Sequence, residues 1–118
     1  MYLSFYYQSS KTMWEENLKL FDQAIAEAGL ERKGKGMPYC SANGHMFALL
    51  NKDGEMGVRL SKEEGKAFME KYESGQFRSH GANMRGYVLV PKDRYEDAAF
   101  IATMLNQGLA YVITLEPK

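Results

Sequence analysis

The residues of this chain that could do chemistry in one place are a cysteine and a histidine. Cys40, the only cysteine, lies five positions before His45, and the pair Asn43-Gly44 separates them. An Asn-Gly pair favours a tight hairpin turn, so the two side chains could meet across a hairpin. A nucleophilic cysteine needs a base that makes its thiolate and a third group that orients this base. The local sequence supplies no such third group, so a buried cysteine and a surface histidine are the favoured interpretation.

A metal site has less support from the sequence. Cys40, His45 and His80 are three good ligands without the paired spacings of a zinc site, which normally has four. The glutamates of residues 63–73 alternate with lysines, as is typical of the solvated side of a helix. We therefore expect no catalytic residue, no metal and no cofactor.

Two glycine-containing segments bring basic residues together. The segments GKG at 34–36 and GANMRG at 81–86 could present backbone amides to an anion, but neither is a phosphate-loop motif. Turns with solubilising charges explain these segments more simply. If a basic patch exists, it is predicted to consist of Arg32, Lys33, Lys35, Arg78 and Arg85.

Three helices are predicted from apolar residues spaced three and four positions apart. Each begins at a Ser, Thr or Asp that has a glutamate three positions later, the spacing of a capping box. The predicted ranges are 12–29, 61–72 and 93–109. The segment 110–115 could continue the third helix or form a last strand, and we favour the helix.

Five strands are predicted between these helices. Asn43-Gly44 and Asp53-Gly54 predict two type I′ turns, which join three strands into a meander. Two further strands are predicted at 76–80 and 87–90, with 81–86 as a loop. The order helix, three strands, helix, two strands, helix predicts an α+β two-layer sandwich whose antiparallel sheet is covered by helices on one face.

The totals favour one globular domain. A chain of 118 residues is expected to form a single domain, 1–118, with 1–11 as an N-terminal extension whose aromatic residues are either an ordered strand or a tail. The fifteen basic and fifteen acidic residues cancel, so no overall field favours nucleic acid or membrane. The start lacks the features of a signal peptide and no apolar run is long enough for a membrane span, so a cytoplasmic protein is expected.

The order of several motifs resembles the N-terminal domain of the TfoX/Sxy family. The stretch GMPYCSANGHMFALLNKDGEMGVRLSKEEGKAF is followed by MRGYVLVP and by a helix with an acidic start. The similarity covers about residues 13–112. The matching positions are Met37, Gly44, Met46, Phe47, Ala48, Asp53, Gly54, Leu60, Met84, Tyr87, Val88, Val90 and Pro91.

This resemblance implies a bacterial cytoplasmic domain that regulates natural competence with the transcription machinery and is not a catalyst. It also implies a fold similar to that of type III secretion chaperones, which bind other proteins as dimers. No catalytic residue carries over. The chain departs from the family at 37–40, where Met-Phe-Gly-Gly is frequent, and it contains no second, C-terminal domain.

Three functions follow as hypotheses. The first is a non-enzymatic, homodimeric module that binds an unknown protein partner through an exposed sheet face or rim at His45, Phe47, Arg59 and Tyr87. For Phe47 and Tyr87, burial under the helices is an equally good alternative. The second is a transcription co-regulator that contacts nucleic acid through the basic patch. The third is a thiol-dependent or ligand-binding activity centred on Cys40.

Overall fold

The structure is a computed structural model that describes the backbone of residues 2–118 and the side chains of residues 13–118. Its elements follow the predicted order, which confirms the α+β class. The helices are α1 (Tyr2–Glu27), α2 (Lys62–Tyr72) and α3 (Ala98–Ile113), with a short 3₁₀ turn at Lys92–Arg94. The strands are β1 (Tyr39–Ala42), β2 (His45–Leu50), β3 (Met56–Arg59), β4 (Gln76–Ser79) and β5 (Ala82–Leu89).

The five strands form one antiparallel sheet in the order β1-β2-β3-β5-β4. The main hydrophobic core lies between one face of this sheet and the helices. Fully buried members come from α1, from the strands and from α3, as expected for two packed layers. The largest of them are Phe21, Phe47, Leu50, Met56, Ile101, Met104 and Leu105.

The first hairpin has the predicted turn and the second does not. Asn43 and Gly44 have φ values of 56° and 78°, as a type I′ turn requires. In the second hairpin only Gly54 has a positive φ, of 79°, so the type I′ prediction for Asp53-Gly54 is wrong. The side chain of the buried Asn51 shapes this loop instead, because its Oδ1 accepts hydrogen bonds from the backbone amides of Asp53 (3.0 Å) and Glu55 (2.9 Å).

Two helices begin at other residues than predicted. The helix α1 already begins at Tyr2, so the segment expected as an extension is helical backbone and Thr12 lies inside the helix. Residues 2–11 contain neither Gly nor Pro to end a helix. The N-cap of α3 is Asp97, whose side chain accepts a hydrogen bond from the Phe100 amide, and not Asp93 in the 3₁₀ turn. None of the described helices has the length and apolar character of a membrane span.

Gly108 lies inside α3, although glycine usually weakens a helix. A Cβ at this position would lie 2.9 Å from the carbonyl oxygen of Arg59 and 3.0 Å from a methyl group of Val58. The glycine therefore permits α3 to cross β3 in direct contact with its backbone. The helix runs on to Ile113, which confirms the favoured interpretation of this segment.

Candidate functional site

The sheet face opposite the helices carries a second apolar cluster. Its centre is formed by the buried side chains of Leu49, Phe77 and Tyr87. Among the described side chains, all members of the cluster come from strands or from the segment just before β1, and none comes from a helix. We call this surface the uncovered face; its partly exposed members are Met37, Tyr39, Met46, Met84 and Leu89.

The uncovered face is held together by two aromatic side chains that lie across the strands. Phe77 of β4 covers Gly57 of β3 so closely that a Cβ on the glycine would lie 2.3 Å from the ring. The ring of Tyr87 lies 6.0 Å from that of Phe77, centroid to centroid. The Tyr87 hydroxyl donates a hydrogen bond of 2.8 Å to the carbonyl oxygen of Met46, on the far side of β3.

Burial sets the ionisation of this tyrosine. It raises the pKa of Tyr87 to about 12, although the nearby Arg59 guanidinium acts in the opposite direction. The hydroxyl therefore stays protonated at neutral pH and remains a hydrogen-bond donor. The face thus has a buried centre, held by this hydrogen bond and the ring contact, and a rim of partly exposed methionine, tyrosine and leucine side chains.

A groove of about 780 Å³ adjoins the uncovered face where α2 approaches β5. Its floor is apolar and includes Leu60, Gly65 and Val88, and Met69 and Tyr111 extend this apolar surface. Met84 and Tyr87 border both the groove and the uncovered face. We call it the basic groove because its charged lining residues are all cations, namely Arg59, Lys62, Lys66 and Arg85.

A large irregularity in β5 creates one wall of the basic groove. In the pairing of β4 with β5, Arg78 lies opposite Asn83 and Gln76 lies opposite Val88. Two positions along β4 therefore correspond to five positions along β5. The pairing of β5 with β3 reaches only Tyr87. Met84 and Arg85 thus have no cross-strand partner in either register, and Gly86 has a φ of 86°. Such bulges redirect side chains and are frequent beside binding sites.

Among the described side chains, no carboxylate forms an ion pair with the cations of the groove. The ion pairs among the described side chains are Arg32 with Asp22, Lys92 with Glu55, and Arg94 with Asp97, and none of these lines the groove. Arg59 lies instead over the ring of Tyr111, with its guanidinium carbon 5.6 Å from the centroid. The groove therefore combines a positive rim with an apolar floor.

Comparisons of the chain with protein families, with curated proteins and with solved structures found no match. The resemblance to the TfoX/Sxy family therefore stays a prediction from sequence motifs.

The four predicted contact residues lie in different environments. Arg59 and Tyr87 line the basic groove, and Tyr87 is also a central member of the uncovered face. Phe47 is 1% exposed and packs under the helices, so its prediction as an exposed contact is wrong and the burial alternative is confirmed. Tyr87 is 7% exposed, so its prediction as an exposed contact is also wrong, but it is buried on the opposite face and not under the helices. His45 is half-buried, and its Nε2 lies 2.8 Å from the carbonyl oxygen of Glu116 in the C-terminal segment.

The structure divides the predicted basic patch between the two edges of the sheet. Arg32 pairs with Asp22, and Lys33 donates a hydrogen bond to Ser41 on the edge strand β1; Lys35 is exposed in the same segment. Arg78 lies on β4, the opposite edge, where it donates to Asn83 and to the carbonyl oxygen of Gly81. Of the predicted patch, only Arg85 lines the basic groove.

Sequence reasoning missed Lys62 and Lys66 as site residues. Their alternation with glutamates along α2 made them look like part of a neutral, solvated helix face. A usable signal was present, because Lys62 and Lys66 are four positions apart and therefore lie on one side of the helix. Arg59 precedes this helix by three positions, and all three cations line the groove.

Cys40 has neither the exposure nor the lowered pKa of a reactive thiol. It is 1% exposed and belongs to the core under the helices. Burial, aided by the charge of Asp22, raises the pKa of the thiol to about 11, although Lys33 and Arg32 act in the opposite direction. The sheet register places Cys40 opposite Ala48 and His45 opposite Ala42, so the hairpin does not pair the two residues. In the part of the chain that is described, no three His, Cys, Asp or Glu residues could hold a metal ion together.

Proposed function

We propose that this chain is a small non-enzymatic regulatory module that acts by binding protein, like the N-terminal domain of the TfoX/Sxy family that it resembles. Two copies associate through the uncovered face, and the module works in the bacterial cytoplasm. The observation that carries this proposal is the apolar cluster on the sheet face that no described helix covers.

The composition of the rim suits a protein-binding surface. Three of the partly exposed members, Met37, Met46 and Met84, are methionines, whose flexible side chains adapt to an opposing surface. A partly exposed apolar cluster on the surface of a small domain is a common mark of protein–protein contact. Burying the rim against a second protein would remove these side chains from water, at about 25 cal/mol for each Å² of apolar surface.

A second copy is a suitable occupant of the uncovered face. Two-fold dimers use the same patch on both subunits, so the patch must be complementary to itself, and an uncharged apolar surface meets this condition. The chain has a formal net charge of zero at pH 7, so two copies do not repel each other through an overall field.

The experiment is a molar-mass measurement by light scattering over a dilution series. We expect a mass near twice the 13.4 kDa of one chain, falling toward 13.4 kDa on dilution. Met46→Glu places a charge on the rim of the uncovered face, and we expect it to give the monomer at every concentration, because a buried unpaired carboxylate is costly. Ile113→Glu is the matched control, since Ile113 is 58% exposed on α3 and away from this face.

Two results would count against the proposal. One is a monomeric wild-type chain at the highest concentration reached. The other is a dimer that Ile113→Glu dissociates and Met46→Glu does not, because the interface would then involve α3 and not the sheet. Circular dichroism of both variants checks that the change in mass is not caused by unfolding.

A further inference from the structure

We infer that the basic groove binds an acidic, partly apolar peptide segment of a partner protein, in extended conformation along β5. This site goes beyond the proposed dimer face. It lies at the junction of α2 with β5 and shares only Met84 and Tyr87 with that face. It rests on the proposed function only in that both make the chain a protein-binding module.

The charge of the groove selects the chemistry of the occupant. The side chains of Lys62, Lys66 and Arg85 are exposed, and Arg59 is half-buried, so the four cations surround an accessible opening. Because none of the described carboxylates lines the groove, carboxylates of a ligand could contact these cations directly. Complementarity of this kind favours an occupant with several negative charges.

The floor of the groove requires that the occupant also be partly apolar. Leu60, Val88 and Met69 line it, together with Gly65, where a Cβ would be in ordinary contact with the valine methyl group at 3.6 Å. Leu60 and Val88 are 3% and 2% exposed, so the apolar surface open to an occupant is that of the half-buried Met69 and Tyr111, which a small inorganic anion would leave in contact with water. The volume of about 780 Å³ is within the range of ligand sites, roughly 300–1,000 Å³, and accommodates a few apolar side chains.

The backbone of β5 favours an extended peptide. Met84 and Arg85 lie in a strand but have no cross-strand partner in the registers with β3 or β4. An extended segment in the groove can therefore run beside this part of β5 and pair with its backbone, the mode known as strand addition. Alternate side chains of such a segment would point to the apolar floor and to the cations.

Nucleic acid fits the groove less well. A nucleic-acid interface needs a wide basic surface that tracks many phosphates. Here the exposed residues Glu63, Glu64 and Glu70 lie on α2 beside the groove, and Arg32 and Lys33 are at the opposite edge of the sheet. The positive region is thus confined to the groove, which suits a short acidic segment.

The test is fluorescence anisotropy with a labelled probe peptide of sequence Glu-Leu-Glu-Val-Glu-Leu. We expect saturable binding with a Kd below about 100 μM, weakened by added salt because the contacts are ionic. The variant Lys62→Gln/Lys66→Gln/Arg85→Gln should bind about tenfold more weakly, since it removes three of the four cations that line the groove and each exposed ion pair contributes modestly. The matched control Lys19→Gln/Lys35→Gln/Lys52→Gln removes the same charge at exposed positions outside the groove and should bind like the wild type.

The same titration with a labelled hexathymidine distinguishes peptide from nucleic acid. Weaker binding of the oligonucleotide than of the peptide supports the inference. Tighter binding of the oligonucleotide, with the same loss in the groove variant, would overturn it in favour of nucleic acid. Absence of peptide binding, or equal loss in both triple variants, also overturns it. The light-scattering mass is a separate measurement, so a monomeric chain that binds the peptide contradicts the dimer proposal alone.

Discussion

The replacement Gly57→Ala should disrupt the centre of the uncovered face. The new Cβ would lie 2.3 Å from Cγ of Phe77 and 2.4 and 2.6 Å from its two Cδ atoms. Carbon atoms in favourable contact are about 3.5–4.0 Å apart, so the ring must withdraw by more than about 1 Å. Because Cγ is the first atom of the ring, a rotation of the ring cannot relieve the contact, and the whole side chain or β4 has to move.

This displacement should lower the free energy of unfolding by about 3 kcal/mol, the upper end of the range for overpacked cores. Urea unfolding measures it, with fluorescence of Trp14, the only tryptophan, which donates a hydrogen bond to Asn51 in the second hairpin. With a slope of about 1.5 kcal/mol per molar urea, the midpoint should fall by about 2 M.

Gly36→Ala is the matched control for this prediction. A Cβ at Gly36 would have no heavy atom within 4 Å, and the residue is outside the positive-φ region, so we expect no loss of stability. Phe77→Ala alone should cost about 3–5 kcal/mol. In the Gly57→Ala background it should cost clearly less, because the ring has already lost its contacts. An unchanged midpoint for Gly57→Ala, or strict additivity of the two changes, would refute the argument.

Two further predictions concern buried polar groups. Asn51→Ala should lower the free energy of unfolding by about 2–4 kcal/mol in the same urea assay. The Asn51 side chain is 2% exposed, donates a 2.7 Å hydrogen bond to the Arg78 carbonyl oxygen and also shapes its own loop. A loss below about 1 kcal/mol would contradict this prediction. The second is alkaline instability: burial raises the pKa of Cys40 to about 11 and those of Tyr87 and Tyr95 to about 12, from 9.0 and 10.0. The folded chain holds these protons more tightly than the unfolded one, so their contribution to stability is complete below pH 9 and is lost as the pH rises to about 12. The urea midpoint should fall over this range, and a midpoint that is constant from pH 8 to pH 11 would show that these groups are not buried.

The sequence was sufficient for those parts of the fold that local signals determine. The α2 helix begins after Ser61 and ends at Tyr72 as predicted, because the cap and the apolar spacing lie within the same few residues. The Asn43-Gly44 turn was predictable for the same reason, since the two residues themselves prefer positive φ. The order of elements and the α+β class then followed from these local assignments.

Long-range packing decides the parts that the sequence did not reveal. The segment 81–86 looks like a loop because it begins and ends with glycine, yet most of it is the first half of β5. A turn at His80 and Gly81, both with positive φ, folds β5 back onto β4. No local sequence signal indicates that β5 has extra residues opposite β4 at this point. These extra residues form a wall of the basic groove.

Phe47 and Tyr87 were both predicted as exposed contacts, but both are buried, and they pack on opposite faces of the sheet. In β2 both faces are apolar, because Phe47 and Leu50 point to the helices whereas Met46 and Leu49 join the cluster on the other side. Alternation cannot separate two apolar faces, so the sequence alone could not assign Phe47 to either of them.

The uncovered face, to which no described helix side chain contributes, has a centre and a rim with different roles. The centre is closed by the chain itself, since Gly57 makes room for Phe77 and the Tyr87 hydroxyl bonds across β3. The rim residue Met46 is half-exposed and has no such role for its side chain. Damage to the centre should therefore reduce stability, whereas a charge on the rim should reduce association and leave the fold intact. If Met46→Glu lowers the urea midpoint as much as Gly57→Ala does, the rim is part of the monomer core and the uncovered face is not an interface.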